Sequence, residues 1–202
     1  MFDGLFGNLK NRLITQLGSD NNHVAVGAAK KLRAKGWFRD GTLKGINLRS
    51  ANLHGAELAR ANMEGAILQG AILVKAYLGE TNLQAADLRE ADLREANLRE
   101  VNLQEANLRG ANLAETYLAV SNLHRADLSG ASLQGSNLWQ TRLSGVNLRD
   151  ANLLGATIYR VVFDERTILP DGEPWLPDTD MGRFTDPNHP HYWRLHVNGR
   201  GE

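Results

Sequence analysis

The chain has 202 residues, with 23 basic and 23 acidic side chains and a formal charge of zero at pH 7. It contains no cysteine, no apolar run long enough to cross a bilayer and no signal-peptide pattern, which argues against a membrane-spanning helix and a secreted product. We therefore expect a cytoplasmic protein. The charge is uneven, because residues 1–40 hold seven Lys or Arg against three acids, whereas residues 171–202 hold three against six.

Residues 1–40 are predicted to form an N-terminal helical cap over the segment that follows. Apolar residues at three- and four-residue steps predict one helix over residues 2–17, and a second is expected over residues 22–35. Trp37 and Phe38 then provide an apolar plug. The alternative is that the first helix lies on a membrane surface, for which Lys10 and Arg12 supply few cations. The apolar residues of the first helix are Phe2, Leu5, Phe6, Leu9, Leu13 and Leu17.

Residues 41–170 repeat every five residues, in about 26 pentapeptides with no insertion or deletion in the predicted register. The repeat centres run from Leu43 to Phe163 and Ile168, and 22 of the 23 centres between residues 43 and 153 are Leu. A small or β-branched residue stands two positions before each centre from Leu43 to Phe163. Neither a helix nor a long strand keeps residues spaced five apart on one face. We predict an all-β solenoid, in which a short extended piece points both residues inward and the next two residues turn a corner.

The corners are predicted to be of two kinds. Glycine occupies the second corner position at residues 45, 55, 65, 70, 110, 130, 135, 145 and 155. It suits the positive φ of a type II turn. Corners such as Glu90, Glu95, Glu100 and Glu105 are expected to use a different turn with negative φ. Successive coils are expected to pair as parallel strands roughly 4.8 Å apart.

The Ala-Asn/Asp-Leu-x-x repeat resembles the signature of pentapeptide-repeat proteins. That resemblance implies four pentapeptides per coil and a right-handed quadrilateral parallel β-helix. The repeats would then make about six and a half coils, a rod roughly 30 Å long. The resemblance implies no catalytic residues.

Residues 171–202 are predicted to form an irregular C-terminal tail or cap. All five prolines lie between residues 170 and 190, which excludes another coil or a long helix. The tail is expected to lie on the last coil or along one face, or else to dock on another subunit. His189, His191 and His196 cluster there, but two of them are flanked by proline and no fourth ligand is evident. We therefore expect no metal.

Stacking of equivalent residues in successive coils predicts an interaction surface on one side of the rod. Four of the eight Trp and Tyr residues fall there, namely Tyr77, Tyr117, Trp139 and Tyr159. Grouped exposed aromatics are typical of protein contacts, unless the tail or the helices cover them. A basic column on another side includes Arg89 and Arg109. Its acidic neighbours argue against nucleic acid as a partner.

The sequence favours a non-enzymatic scaffold without a cofactor, because it lacks nucleotide-binding, zinc-protease and cysteine-nucleophile motifs. The expected partner is another protein or a second copy of the chain, and a homo-oligomer is allowed. DNA mimicry with binding to a topoisomerase is an alternative that the family resemblance raises. It is disfavoured, because residues 41–170 carry 13 basic and 14 acidic side chains whereas duplex DNA is densely negative.

Overall fold

The computed structural model describes residues 3–193, with side chains from residue 8 onward. Helix α1 spans Asp3–Leu17 and helix α2 spans Asn22–Ala34. Asn21 caps α2, because its side-chain oxygen accepts a hydrogen bond from the backbone N–H of Val24. The helices pack against each other and form the N-terminal cap together with residues up to 40. Their buried residues include Leu13, Leu17, Ala25, Ala28, Ala29 and Leu32.

The apolar side of α1 packs inward. Leu13 and Leu17 are fully buried, and Leu9 packs partly buried against the same core. The side chains of Phe2, Leu5 and Phe6, expected on this side, lie outside the described residues. No helix within residues 3–193 combines the length and hydropathy of a membrane span.

The N-terminal cap also supplies hydrogen-bond partners to the first coil. The outward residues of the first coil have no preceding coil whose carbonyls could accept hydrogen bonds from their N–H groups. Asn52 N–H instead donates to the carbonyl of Ser19 at 2.9 Å, and Asn62 N–H donates to that of Phe38 at 2.7 Å. The cap thereby pairs part of an edge that would otherwise remain open.

The repeats form coils of four pentapeptides, because each bridge joins a residue to the equivalent residue four pentapeptides later. Parallel bridges run from Asn47–Ile67 through Arg142–Val162. Each bridge has two backbone hydrogen bonds; at Asp87, for example, its N–H donates to Ala66 and its carbonyl accepts from Leu68. Each side of a coil contributes a single bridged residue, so the ladders consist of isolated parallel bridges.

The interior of the solenoid is a ladder of leucines beside a ladder of small residues. Burying each Leu contributes roughly 1.5–3 kcal/mol relative to leaving it exposed. Where Thr or Ser replaces the small Ala, its hydroxyl can bond to a backbone carbonyl. Thr81 Oγ1 donates to the carbonyl of Leu58 at 3.0 Å, and Ser121 Oγ donates to that of Leu98 at 2.7 Å. Thr81 and Ser121 are therefore satisfied within the apolar interior, whereas Ser136 Oγ is buried without a hydrogen-bond partner among the described residues.

The corners between residues 45 and 160 all have positive φ, which corrects the expectation of two corner types. The prediction of negative φ is wrong at Glu90, Glu95, Glu100 and Glu105, where φ is 59°, 58°, 58° and 59°. Coil stacking favours this geometry, because each corner N–H from residue 45 to residue 140 donates to a carbonyl of the next coil, as Glu90 N–H does to the carbonyl of Arg109 at 3.0 Å. The left-handed conformation costs a non-glycine residue roughly 1–2 kcal/mol. Pairing between coils outweighs that local preference.

The five-residue register breaks in the last coil, which corrects the prediction of an unbroken repeat. Ile168 is not the buried centre; Thr167 and Leu169 are buried instead, whereas Phe163 keeps the predicted register and packs partly buried against the core. Ile168 occupies the bridging position opposite Asn147, so this coil contains one extra residue. The Asp164 carboxylate holds this irregular loop, because it accepts hydrogen bonds from Gly145 N–H at 2.8 Å and Thr167 Oγ1 at 3.2 Å.

Residues 171–193 form a C-terminal cap on the last coil. Pro174 forms an antiparallel bridge with Ile168, and Trp175 stacks on Phe163 with ring centroids 5.8 Å apart. Helix α3, Gly182–Thr185, then places Phe184 in the core. The described part of the tail thus packs on the last coil. His196 lies outside the described residues.

Candidate interaction surface

Two adjacent columns of outward residues carry the four aromatic side chains. In the first column, parallel bridges link residues 57, 77, 97, 117, 137 and 157. The second column contains residues 79, 99, 119, 139 and 159, each the first residue of a corner. Tyr77 and Tyr117 belong to the first column, whereas Trp139 and Tyr159 belong to the second. Together these four residues are called the aromatic face.

The fold exposes Tyr77 and Tyr117 because both chain neighbours of each point inward, and it exposes Trp139 and Tyr159 because they stand at corners. Ala76 and Leu78 are fully buried, so Tyr77 between them must point outward. The side chains of Tyr77, Tyr117 and Tyr159 are all at least half exposed, and Trp139 is 37% exposed. These exposed rings do not contribute to the core, and their grouping on one side of the rod is typical of a contact surface.

Two shallow depressions separate the rings. The first, of about 470 Å³, lies between Tyr77 and Tyr117. The second, of about 280 Å³, lies between Tyr117 and Trp139. Lys75, Glu95, Asn97 and Glu115 complete the first, and Asn97, Arg99, Ala119 and Asn137 complete the second. Tyr117 and Asn97 belong to both, so the depressions form one continuous surface.

Asn97 and Asn137 are part of this surface, although the sequence analysis did not single them out. Asn97 Oδ1 accepts from the N–H of Arg99 at 3.1 Å, and Asn137 Oδ1 accepts from that of Trp139 at 3.0 Å. Within the described residues, neither side-chain NH₂ group makes a hydrogen bond. The only sequence signal for them was their place in the column, one coil away from a tyrosine.

The charges around the aromatic face are mostly paired. Lys75 lies 3.3 Å from Glu95, and Arg99 lies 3.0 Å from Glu100. No Lys or Arg within residues 8–193 forms an ion pair with Glu115. The exposed pairs contribute little to stability. Among the described side chains, Glu115 is thus the carboxylate of the first depression that forms no ion pair.

The caps leave the aromatic face open in the described part of the chain. The N-terminal cap reaches only the start of the first column, where Arg33 lies 3.2 Å from Glu57. The C-terminal cap joins the solenoid through Thr185, whose carbonyl accepts from Gly155 N–H at 2.8 Å. Arg160 contacts Tyr159 from the same rod, 5.3 Å from the ring centroid.

The basic column and the corner carboxylates form mixed-charge surfaces. Arg89 binds Asp87 at 2.7 Å, and its hydrogen bond lowers the pKa of that carboxyl. The depression beside Arg109 also contains Glu90, Asp127 and Asp150. Cations and anions therefore alternate along this side.

The histidine cluster is also partly paired within the C-terminal cap. His189 Nε2 lies 2.8 Å from an oxygen of Asp180. His191 stands beside it, with ring centroids 6.1 Å apart. No group of three potential metal-ligating His, Asp or Glu side chains occurs in the described part of the chain.

The bridges and buried ladders define an elongated repeat protein, a parallel solenoid closed by a cap at each end. The Pentapeptide repeats family matches the chain in eight copies, over residues 38–70, 46–84, 76–114, 102–140 and 126–164. The chain therefore belongs to the pentapeptide-repeat family, which confirms the resemblance seen in its sequence.

Several solved structures are similar to parts of the chain. HetL, a pentapeptide repeat protein involved in heterocyst differentiation regulation from the cyanobacterium Nostoc sp. strain PCC 7120, is 26% identical; the match covers 74% of this chain and 98% of HetL, with a TM-score of 0.31. A thylakoid-lumen pentapeptide repeat protein from Arabidopsis thaliana is 24% identical over 48% of this chain and 67% of its own, with a TM-score of 0.39. Trypsin-treated QnrB1, a plasmid-mediated fluoroquinolone resistance protein, is 20% identical over 71% and 82%, with a TM-score of 0.39. No curated protein matches the chain.

Proposed function

We propose that this protein is a non-enzymatic scaffold that binds another protein through the aromatic face. The observation that carries the proposal is the exposure of four large rings in two adjacent columns, uncovered by the described caps. Tyr and Trp dominate the energetics of protein interfaces, because they bury a large area with few rotatable bonds. A solenoid holds such rings at fixed spacing.

The carboxyl groups support a non-catalytic role. All five carboxyl groups with a shifted pKa in the described residues are shifted downward: Asp40, Glu80, Asp87, Asp92 and Asp164. A general acid at neutral pH requires a raised pKa instead. At Glu80 the cause is the hydrogen bond from Arg60, which binds both carboxylate oxygens. These groups act as ion-pair and hydrogen-bond partners.

The proposal extends to the winding and the location of the protein. The coils are taken to wind right-handed with a quadrilateral cross-section, as the family resemblance implies, and a crystal structure tests the hand directly. A cytoplasmic location follows the expectation from the sequence. Fractionation of the native cells, with the protein recovered among membrane or lumenal proteins, would contradict it.

Site-specific photo-cross-linking tests the interaction surface. A photoreactive benzoylphenylalanine replaces Tyr117 in one variant and Asn112 in the matched control, which is the outward residue of the preceding pentapeptide. Irradiation in the native cells is expected to give a discrete adduct at position 117 and none at position 112. The mass of the adduct distinguishes a foreign protein from a second copy. Equal labelling at both positions, or no adduct at 117, contradicts the proposal.

A further inference from the structure

We propose that the aromatic face binds a proline-rich segment in the polyproline II conformation, with a Lys or Arg beside its proline run. This inference rests on the proposed function and specifies its partner. Three features point to this partner: the spacing of Tyr77 and Tyr117, the hydrogen-bonding groups between the rings, and the carboxylate of Glu115, which forms no ion pair with a described Lys or Arg.

The spacing of Tyr77 and Tyr117 matches the repeat of a polyproline II helix. Tyr77 and Tyr117 stand in one column two coils apart, a separation of about 9.6 Å for coils roughly 4.8 Å apart. A polyproline II helix has three residues per turn and rises about 3.1 Å per residue, so one face recurs about every 9.3 Å. A β-strand repeats a face at about 6.6 Å and an α-helical turn advances about 5.4 Å, so neither repeat matches the separation of Tyr77 and Tyr117.

The polar groups between the rings complement a proline-rich backbone. Proline has no N–H, so such a segment mainly presents carbonyl acceptors, and polyproline II leaves them without internal partners. The surface offers the opposite set, because the Oδ1 atoms of Asn97 and Asn137 already accept from the backbone while their NH₂ groups remain available. The tyrosine hydroxyls add further donors.

The charge of the surface selects a cation next to the proline run. Glu115 borders the depression between Tyr77 and Tyr117, and it forms no ion pair with Lys or Arg among the described side chains. Glu95 on the same border is already paired with Lys75. A peptide Lys or Arg beside Glu115 therefore meets an available carboxylate, whereas a peptide acid meets an unpaired like charge.

Fluorescence anisotropy with labelled peptides tests this partner. The probe is a peptide of about twelve residues with proline at every third position and one flanking Arg. Its controls are a version with proline replaced by Ala and a version with Arg replaced by Glu. The full chain is expected to bind the probe and to bind each control about tenfold more weakly.

Three variants of the chain make the assignment specific. Tyr117→Ser removes the shared ring and is expected to weaken binding at least tenfold. Asn97→Asp keeps the oxygen that accepts from Arg99 but removes the NH₂ donors, so it is expected to weaken binding severalfold when measured with a probe whose flanking Arg is replaced by Ala, which the added charge cannot attract. The matched control is Asn112→Asp on another face, whose side-chain oxygen accepts from Ala114 N–H in the same way, and it is expected to bind like the wild type.

Other outcomes overturn the inference. Equal affinity for the proline and alanine peptides, or probe binding that survives Tyr117→Ser, contradicts it. Binding of a β-linked glucan in place of the probe assigns the rings to carbohydrate. If no peptide binds while the cross-linker at position 117 still gives a protein adduct, the partner class is wrong and the interaction surface stands.

Discussion

Replacing Ala85 with Gly is expected to stabilise the protein, the reverse of the usual effect of this substitution. Ala85 lies at an exposed corner with φ of 55°, and its N–H donates to the carbonyl of Gln104 at 2.8 Å. Glycine has no Cβ, so it removes the cost of roughly 1–2 kcal/mol that Ala incurs for the left-handed backbone conformation. The greater freedom of Gly in the unfolded chain costs about 0.5–1 kcal/mol. The net gain is therefore about 0.5–1 kcal/mol.

The neighbouring residue provides the control. Ala86 is inward and 1% exposed, and its φ is not positive. Ala86→Gly therefore loses about 0.5–1 kcal/mol through backbone freedom and roughly 0.8 kcal/mol more through the buried methyl group. Guanidinium denaturation followed by far-UV circular dichroism separates the two variants, because their midpoints should move in opposite directions. Equal destabilisation by both would refute the assignment of corner strain.

Further predictions concern the reverse substitution at a glycine corner, a leucine of the core, the C-terminal cap and stability in acid. Gly130→Ala should lower stability slightly, because φ is 67° and no atom lies within 4 Å of the added Cβ, so a loss above about 2 kcal/mol would show a missed clash. Leu113→Ala should cost about 2–5 kcal/mol in thermal or chemical denaturation, since Leu113 is fully buried, and a change below about 1 kcal/mol would contradict the packing. Phe184→Ala opens the C-terminal end and should increase light scattering on heating, whereas unchanged scattering would argue against a capping role. Asp164→Asn should lower stability at neutral pH. Burial raises the pKa of Asp164, but the hydrogen bonds from Gly145 and Thr167 outweigh the effect of burial, so the pKa lies below 3.8. That contribution is present above pH 3.8 and lost as pH falls through the folded-state pKa, so the two unfolding curves should converge in acid, and a constant difference would contradict the assignment.

The ladders of the solenoid were predictable because each inward position repeats with the same chemistry. A Leu at every fifth position, with a small residue two positions earlier, admits few other buried arrangements. The corner conformation was not predictable from the residue type. A Glu favours negative φ by itself, and only the bond from its N–H to the next coil reverses that preference.

The break in register was missed because Ile168 and Leu169 are both apolar, although Arg166, two positions before Ile168, does not fit the small inward position and Thr167 does. Phe163 and Ile168 continue the five-residue period, whereas Leu169 fits a register shifted by one. The difference comes from the loop that Asp164 holds and from the stacking of Phe163 on Trp175. These are contacts between distant residues, which a local pattern does not contain.

The aromatic face was predictable only after a coil of four pentapeptides was assumed. Tyr77 and Tyr117 are far apart in the chain, and only the stacking of two further coils makes them neighbours. Asn97 and Asn137 escaped notice because Asn is the commonest outward residue throughout the repeats. What distinguishes these two residues is that their amide groups lie beside aromatic rings, and this follows from the stacking of coils and not from the sequence of one pentapeptide.

The four-pentapeptide coil sets the angle between the two caps by residue count. Inserting four pentapeptides adds one coil and moves the C-terminal cap about 4.8 Å along the axis without turning it. Inserting a single pentapeptide advances the chain by one corner, which turns that cap by about a quarter revolution relative to the N-terminal cap. The number of whole coils thus sets the distance between groups attached to the two ends, and the number of extra pentapeptides sets the angle between them.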